Sequence, residues 1–395
     1  MATAVLDLDF DNLPLEITGL ERYQQALILI RLRGRPVGQA LLPVLAGRAG
    51  GSDLRHSIMC AADSAFWEQW LRDYLDGPGK TEAHPPAAPA TIAVCTRDRP
   101  EDLSRCLNAL AALPDDGQQI IVVDNCPSTD ETRRVVRHHS GVRYIREDRP
   151  GLDVARNRAL REARHPIVAF SDDDALPDPS WLRALLRNFD DPLVMCATGL
   201  TMPSELETEA QEWFQRLGGL GRGFKRSVFD AARHNPLDAW EAGAGVNMAL
   251  RRGVLDIVGP FDEALDVGSP VGGGGDTDMF RRILVAGYRI VYDPEALNWH
   301  RHRRTWKELQ RQLYGYESAG FAVWTRSILF ERDLEPLKQA WKWFWRELSG
   351  LGSSLLGRPG SVPPELMLAR MCGAAVGPWA YLYSRWLLAR KRTAF

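Results

Sequence analysis

The sequence predicts an α/β fold: a mainly parallel central sheet flanked by helices, with a small N-terminal β-hairpin and helix unit and a helical C-terminal extension. Three observations predict it. Between residues 91 and 292, short apolar, β-branched runs alternate with amphipathic helical stretches, the pattern of strands joined by helical crossovers. These runs end in polar or acidic residues, at 96–99, 124 and 172–174, and ligands of parallel sheets bind outside such carboxyl ends. The chain has 395 residues, beyond the size at which one core usually stops growing, so more than one lobe is expected.

Taken in order, residues 1–80 read as a small α+β unit. A strand over 26–32, a turn at Gly34-Arg35-Pro36 and a return strand over 38–45 make a hairpin. Residues 64–75 carry Phe66, Trp67, Trp70, Leu71 and Tyr74 at helical spacing. No chemistry is legible there, so packing or docking is expected. Residues 81–90, with Pro85, Pro86 and Pro89, read as a linker. The main domain is expected over 91–303. Its strands fall at 91–95, 120–123, 142–145, 167–170, 193–200 and 289–292, and its helices at 101–113, about 130–139, 152–163, 181–189 and 279–286. Residues 204–238, with glycines between 218 and 223, read as a polar loop. Residues 241–250 read as a strand whose small residues let a ligand approach, and Asp293-Pro294 as a turn. Residues 304–395 read as helical.

Composition narrows the function classes. A formal net charge of −2 with no broad basic excess gives no reason to expect a nucleic-acid partner. Six scattered cysteines without a C-x-x-C pair suit neither a disulfide framework nor a thiolate metal site, so a reducing cytosol is the default compartment. Residues 1–10 are acidic and lack a signal-peptide pattern.

The chemistry gathers at Asp172-Asp173-Asp174, where a buried strand ends in three carboxylates. Like charges there repel, so the stretch is either a solvated acidic turn or a set of ligands for a hard divalent cation completed by phosphate oxygens. A glycine run over 271–275 feeds a helix that opens with Asp276 and Asp278. N-capping accounts for one aspartate but not for the four glycines. His300 and His302 follow the last strand, as surface residues or as metal or phosphate ligands.

Five blocks in order over residues 91–303 resemble the family 2 glycosyltransferases, which have the GT-A, Rossmann-like fold. They are the opening strand and turn through Thr96-Arg97-Asp98-Arg99-Pro100; Val123-Asp124-Asn125; Gly151 with Ala155-Arg156-Asn157; Asp172-Asp173-Asp174 with Pro177 and Trp181; and Gly274-Gly275-Asp276-Thr277-Asp278 with Ala286-Gly287-Tyr288-Arg289. The resemblance implies an inverting, metal-dependent transfer of a sugar from a nucleotide-sugar, a UDP-sugar above all, to a hydroxyl of a glycan, glycolipid or lipid-linked acceptor. It implies Asp276 as general base and Asp174, helped by His300, as ligand of Mg²⁺ or Mn²⁺. It places Thr96, Arg97, Arg99, Asp124, Arg156, Asp172 and Asp173 on the nucleotide-sugar side, with Asp173 the alternative metal ligand. Trp240, Glu241 and Asn247 are expected on the acceptor side. There are two departures. The family often has Glu-Asp where this chain has Gly275-Asp276, and three successive aspartates leave the D-x-D register ambiguous. The glycines before Asp276 suit a loop closing over the donor.

Two other functions compete. A sugar nucleotidyltransferase would want a glycine-rich phosphate loop near the first strand, and residues 95–100 have none. A non-catalytic nucleotide-sugar scaffold would have no use for Asp276 beside the aspartate triplet. In the C-terminal region Trp341, Trp343, Phe344 and Trp345 mix with Lys342 and Arg346, and residues 366–388 are mostly apolar but contain Arg370 and Arg385. These suit either a buried helix pair or a peripheral anchor at the cytoplasmic face of a membrane.

Overall fold

A computed structural model describes residues 2–51, 53–76 and 89–393. The linker expected over 81–90 lies outside the described residues as far as position 88.

In the N-terminal unit, β1 (Thr3–Asp9), β2 (Gln25–Leu32), β3 (Arg35–Leu45) and β4 (Arg48–Ala49) form one sheet in that order, and α1 (Leu54–Ala61) and α2 (Ser64–Asp76) pack against β3. Ile28, Ile30, Ile58 and Phe66 fill its core. The hairpin turns at Arg33-Gly34, one residue earlier than expected. Both residues have positive φ (50° and 78°), the geometry that matches strand twist. β1 was not legible in the sequence: it pairs in parallel with β2 across an intervening loop, a contact that local pattern does not report. Arg31 joins this unit to the main domain by bonding Asp7 at 2.7 Å and Asp178 at 2.6 Å, just past the acidic turn.

The main domain runs β5 (Thr91–Thr96), α3 (Pro100–Ala111), β6 (Gln119–Asn125), α4 (Glu131–Arg137), β7 (Val142–Glu147), α5 (Leu152–Glu162), β8 (Ile167–Asp172), β9 (Ala175–Pro177), α6 (Trp181–Leu186), β10 (Val194–Pro203), α7 (Glu209–Arg216), β11 (Ser227–Phe229), β12 (Asn247–Arg251), α8 (Val254–Ile257), α9 (Gly275–Val285) and β13 (Arg289–His300). The sheet order is β11-β13-β10-β12-β8-β5-β6-β7, with β9 on β13. β8, β5, β6 and β7 are mutually parallel, as are β10 and β13, while β12 runs antiparallel between β8 and β10. Alternate residues of each strand feed opposite faces. Ala93, Ile121 and Phe170 pack with Leu160 of α5 and Ile283 of α9. Ile92, Val94 and Ala169 pack with Leu103 and Leu107 of α3 and Trp181 of α6.

Three expectations need correction. The polar segment 204–238 contains α7, started by a reciprocal capping box between Thr208 and Gln211, and the strand β11. Only 247–251 of the small-residue segment 241–250 and its flank is strand. Asp293-Pro294 is no strand end: β13 continues through a register shift against β10 between Gly199 and Thr201, and so delivers His300 opposite Ala175.

The extension consists of α10 (Trp306–Glu331), α11 (Glu335–Leu355) and α12 (Pro364–Thr393). α12 crosses α10 closely: a Cβ on Gly373 would stand 2.1 Å from the Tyr314 carbonyl, and one on Gly377 2.4 Å from that of Ser318. Arg370 is satisfied by Glu317 (2.7 Å) and Glu347 (3.0 Å) on the neighbouring helices. Among the described residues no helix is long and apolar enough to cross a membrane.

Candidate functional site

The strand register builds one polar rim. Thr96 lies opposite Asp124, and Cys95 opposite Asp172, so the ends of β5, β6 and β8 are adjacent. The turn after β5 is pinned by Asp98, in positive φ, whose Oδ1 accepts from the Ser128 amide and hydroxyl at 2.9 Å. Asp124 is fully buried. Its Oδ2 accepts from the Tyr144 hydroxyl at 2.7 Å, and its Oδ1 has no hydrogen-bond partner. Burial raises its pKa above the ordinary value, against the Tyr144 bond. A buried carboxylate oxygen without a donor is costly, and a ligand N–H would satisfy it. Arg97 is exposed at the same turn.

The aspartate triplet divides by side. Asp173 turns inward to Thr96 Oγ1 (2.7 Å) and Arg99 (3.1 Å), and burial pushes its pKa up to about 6. It braces the turn and is withdrawn as an alternative metal ligand. Asp172 and Asp174 both feel the charge of His300. Asp174 is 3.3 Å from His300 Nε2 and 3.2 Å from Arg99 Nη1. Burial alone would raise Asp174; His300 and Arg99 outweigh it and hold the carboxyl well below the usual range. Among the described residues no three His, Cys, Asp or Glu side chains form a ready-made metal cage. The pair of Asp174 and His300 offers one ionised carboxylate and one imidazole, which suits a Mg²⁺-like ion that typically takes one or two carboxylates and completes its shell with substrate phosphates.

The third block explains its own residues. Asp266 caps α5 from another segment, accepting from the amides of Leu152 (2.6 Å) and Asp153 (2.9 Å). Gly151, at φ 140°, is required there, since a Cβ would meet Asp266 Oδ2 at 2.2 Å. Asn157 exchanges two hydrogen bonds with the Phe261 backbone. Arg156 is 5% exposed and bonded to Asp153 at 3.2 Å. Burial would lower its pKa, yet Asp153, Asp172 and Asp276 hold it above the ordinary value. It is therefore the buried counter-ion of the carboxylates, not the free phosphate or ribose contact expected from the sequence.

Asp276, in the first turn of α9, accepts from the Gly245 amide at 2.7 Å and from Thr277 N at 2.8 Å. Gly245 is small because a Cβ would stand 2.6 Å from Arg156 Nη2 and 2.9 Å from Asp276 Oδ2, so protein groups and not a ligand approach it. Asp278 is consumed structurally by Arg282 (2.8 Å) and Arg326 (3.2 Å). The glycine before Asp276 has an equally steric cause. A Cβ on Gly275 would lie 1.9 Å from Asp153 Oδ2. The end of the glycine run also lies against α10, where a Cβ on Gly274 would stand 3.1 Å from Ala319, which argues against a closing loop.

Asn247 leaves the acceptor side. It is fully buried, accepts from Trp181 Nε1 (2.8 Å) and donates to the carbonyls of Leu200 (3.0 Å) and Ala296 (2.8 Å). Trp240 and Glu241 are exposed. The sequence missed Arg222, which lies 5.4 Å over the Trp240 ring and close enough to Asp276 and Glu241 to feel their charge. Its loop is held by Tyr292, whose hydroxyl accepts from Arg222 N (3.2 Å) and donates to Gly223 O (2.7 Å). Only the glycine density marked that segment. A separate cleft of about 470 Å³ between Arg35, Arg72, Arg187 and Glu295 shares none of these groups.

Residues 91–256 match the family described as glycosyl transferase family 2. The pre-mycofactocin glycosyltransferase of Mycobacterium tuberculosis is 28% identical over 256 residues, 62% of this chain and 51% of that protein, so the chain spans about half the length of that relative. The succinoglycan biosynthesis protein ExoM of Rhizobium meliloti is 27% identical over 220 residues, 52% of this chain and 64% of that protein. Among solved structures, the mannosyltransferase PcManGT of Pyrobaculum calidifontis, in complex with GDP-Man and Mn²⁺, superposes with a TM-score of 0.46 at 19% identity over 83% of each chain.

Proposed function

With residues 91–256 a family 2 glycosyltransferase domain, we propose that the chain transfers a sugar from a nucleotide-sugar donor to a hydroxyl of a carbohydrate or lipid-linked acceptor, with inversion and with Mg²⁺ or Mn²⁺. One observation carries the reading: Asp172 and Asp276, from opposite segments of the rim, both lie within electrostatic reach of the single buried guanidinium of Arg156. This supports a reading in which a leaving-group side and a base side face one crevice.

Asp124 Oδ1 accepts the N–H of a uracil-like base, and the turn bearing Thr96, Arg97 and Arg99 lines that end of the crevice. Asp174 and His300 would hold the ion, which when bound would stabilise charge on the leaving diphosphate, with Asp172 on the nucleotide-sugar side. Trp240, Glu241 and Arg222 face the acceptor. Asp276 takes the acceptor proton as the new C–O bond forms at the anomeric carbon. The bond to the diphosphate breaks, and its electron pair leaves with the nucleotide. One displacement inverts the centre, so an α-linked donor gives a β-product. A peripheral position at the cytoplasmic face of a membrane belongs to the same reading.

Asp276→Asn tests it. Transfer is expected to fall about 10²–10⁴-fold while metal-dependent thermal stabilisation by UDP persists. Unchanged turnover in this variant removes Asp276 as the base.

A further inference from the structure

The outer side of α11 carries an apolar stripe with no partner among the described residues. The packed side of this helix is Pro336, Trp343, Glu347 and Ser354. Leu337, Trp341, Phe344, Trp345, Leu348 and Leu355 recur at intervals of three and four and so share a different face. All six are exposed, Trp341 to 63% and Leu337 to 57%. A stripe at helical period normally faces a core, and this one faces away from it. α12 repeats the feature with Trp379 (72% exposed) and Trp386 (45%).

The charges beside the stripe select its occupant. Lys338, Lys342 and Arg346, four residues apart, line one flank of α11; of the two acids of the helix, Glu335 pairs with Lys338 at 2.7 Å and the buried Glu347 lies 3.4 Å from Arg346, which leaves the exposed flank net positive. Glu347 is turned inward to Arg370 at 3.0 Å, and Glu335 stands at the first turn. α12 ends in Arg390-Lys391-Arg392. The chain as a whole has a net charge of −2, so this basic edge is local. Indole rings with an apolar body and a polar edge, beside basic side chains with long apolar stems, match an acyl–headgroup boundary carrying negative charge.

We propose that the outer face of α11 docks on an anionic lipid bilayer, lying in its plane and not crossing it. The proposal is independent of the transfer chemistry, and so is its test. The full chain is sedimented with phosphatidylcholine vesicles, with and without phosphatidylglycerol, at low and high salt. The expected result is co-sedimentation with the anionic vesicles, weakened by salt. Trp341→Glu with Trp345→Glu should reduce the bound fraction at least about tenfold. Lys338→Glu with Lys342→Glu should remove the preference for phosphatidylglycerol. Unchanged helical circular dichroism and an unchanged thermal unfolding midpoint in these variants show that the fold is intact. Failure of wild type to sediment with either vesicle, or undiminished sedimentation of the tryptophan variant, overturns the proposal. So does a wild-type dimer in light scattering that the tryptophan variant breaks without any vesicle binding, which would make a second copy the occupant.

Discussion

Gly275→Ala is a substitution of one methyl group whose consequence is set by a single neighbour. The backbone there is helical and compatible with alanine, so conformational strain does not enter. The new Cβ would lie 1.9 Å from Asp153 Oδ2 and 2.4 Å from its Cγ. Asp153 is 2% exposed and bonded to the buried Arg156, so its carboxylate cannot swing aside into solvent. Overpacking of this kind costs ~1–3 kcal/mol. Losing a glycine recovers about 0.5–1 kcal/mol, leaving a net destabilisation of roughly 0–2.5 kcal/mol. The larger effect falls on activity. Asp276, the proposed base, is the next residue, and moving such a group by ~1 Å costs on the order of 10²-fold in kcat. Urea unfolding and steady-state sugar transfer measure the two effects. Gly320→Ala is the control: that glycine lies within α10 with nothing within 4 Å of a Cβ, so helix propensity should stabilise the protein by up to about 1 kcal/mol. A Gly275→Ala protein with wild-type stability and turnover would refute the claim that Asp153 occupies this space and holds the first turn of α9.

The other predictions concern the base pocket and the C-terminal helices. Because burial raises the pKa of Asp124, metal-free UDP binding should weaken with falling pH above the range where an ordinary aspartate protonates. The ligand N–H favours the ionised form, so affinity is present above the raised pKa and lost below it. Titration calorimetry across the acid range checks this, and Asp124→Asn should bind weakly with that pH dependence gone. Tyr144→Phe, which removes a bond to the ionised form, should move the loss to higher pH. Arg370→Met takes the 2.7 Å cation from Glu317 and leaves Glu347, 3% exposed, with Arg346 alone at 3.4 Å. A loss of about 3–5 kcal/mol is expected for such a broken buried pair, read by urea unfolding. Hydrogen exchange should rise in α10–α12 before it rises in β5–β8.

What the sequence by itself determined was local: period, punctuation and charge. Continuous apolar runs specified β5, β6 and β8, and the carboxylates that end those runs marked the rim. Asp124, Asp174 and Asp276 were legible because each sits at the junction of a patterned strand or helix with a turn. Only tertiary structure decided which partners each carboxylate meets. Asp173 and Asp278 have the same chemistry as their neighbours, yet Thr96, Arg99, Arg282 and Arg326 consume them from distant segments. Asn247 has the side chain of an acceptor contact and is spent on Trp181, Leu200 and Ala296. Gly275 departs from the family pattern, and the reason is a side chain more than a hundred residues earlier. Hydrophobic period is a property of neighbouring residues, and a chain reports it directly. Hydrogen-bond satisfaction and steric occupancy are settled between segments, so they exist only once the segments meet.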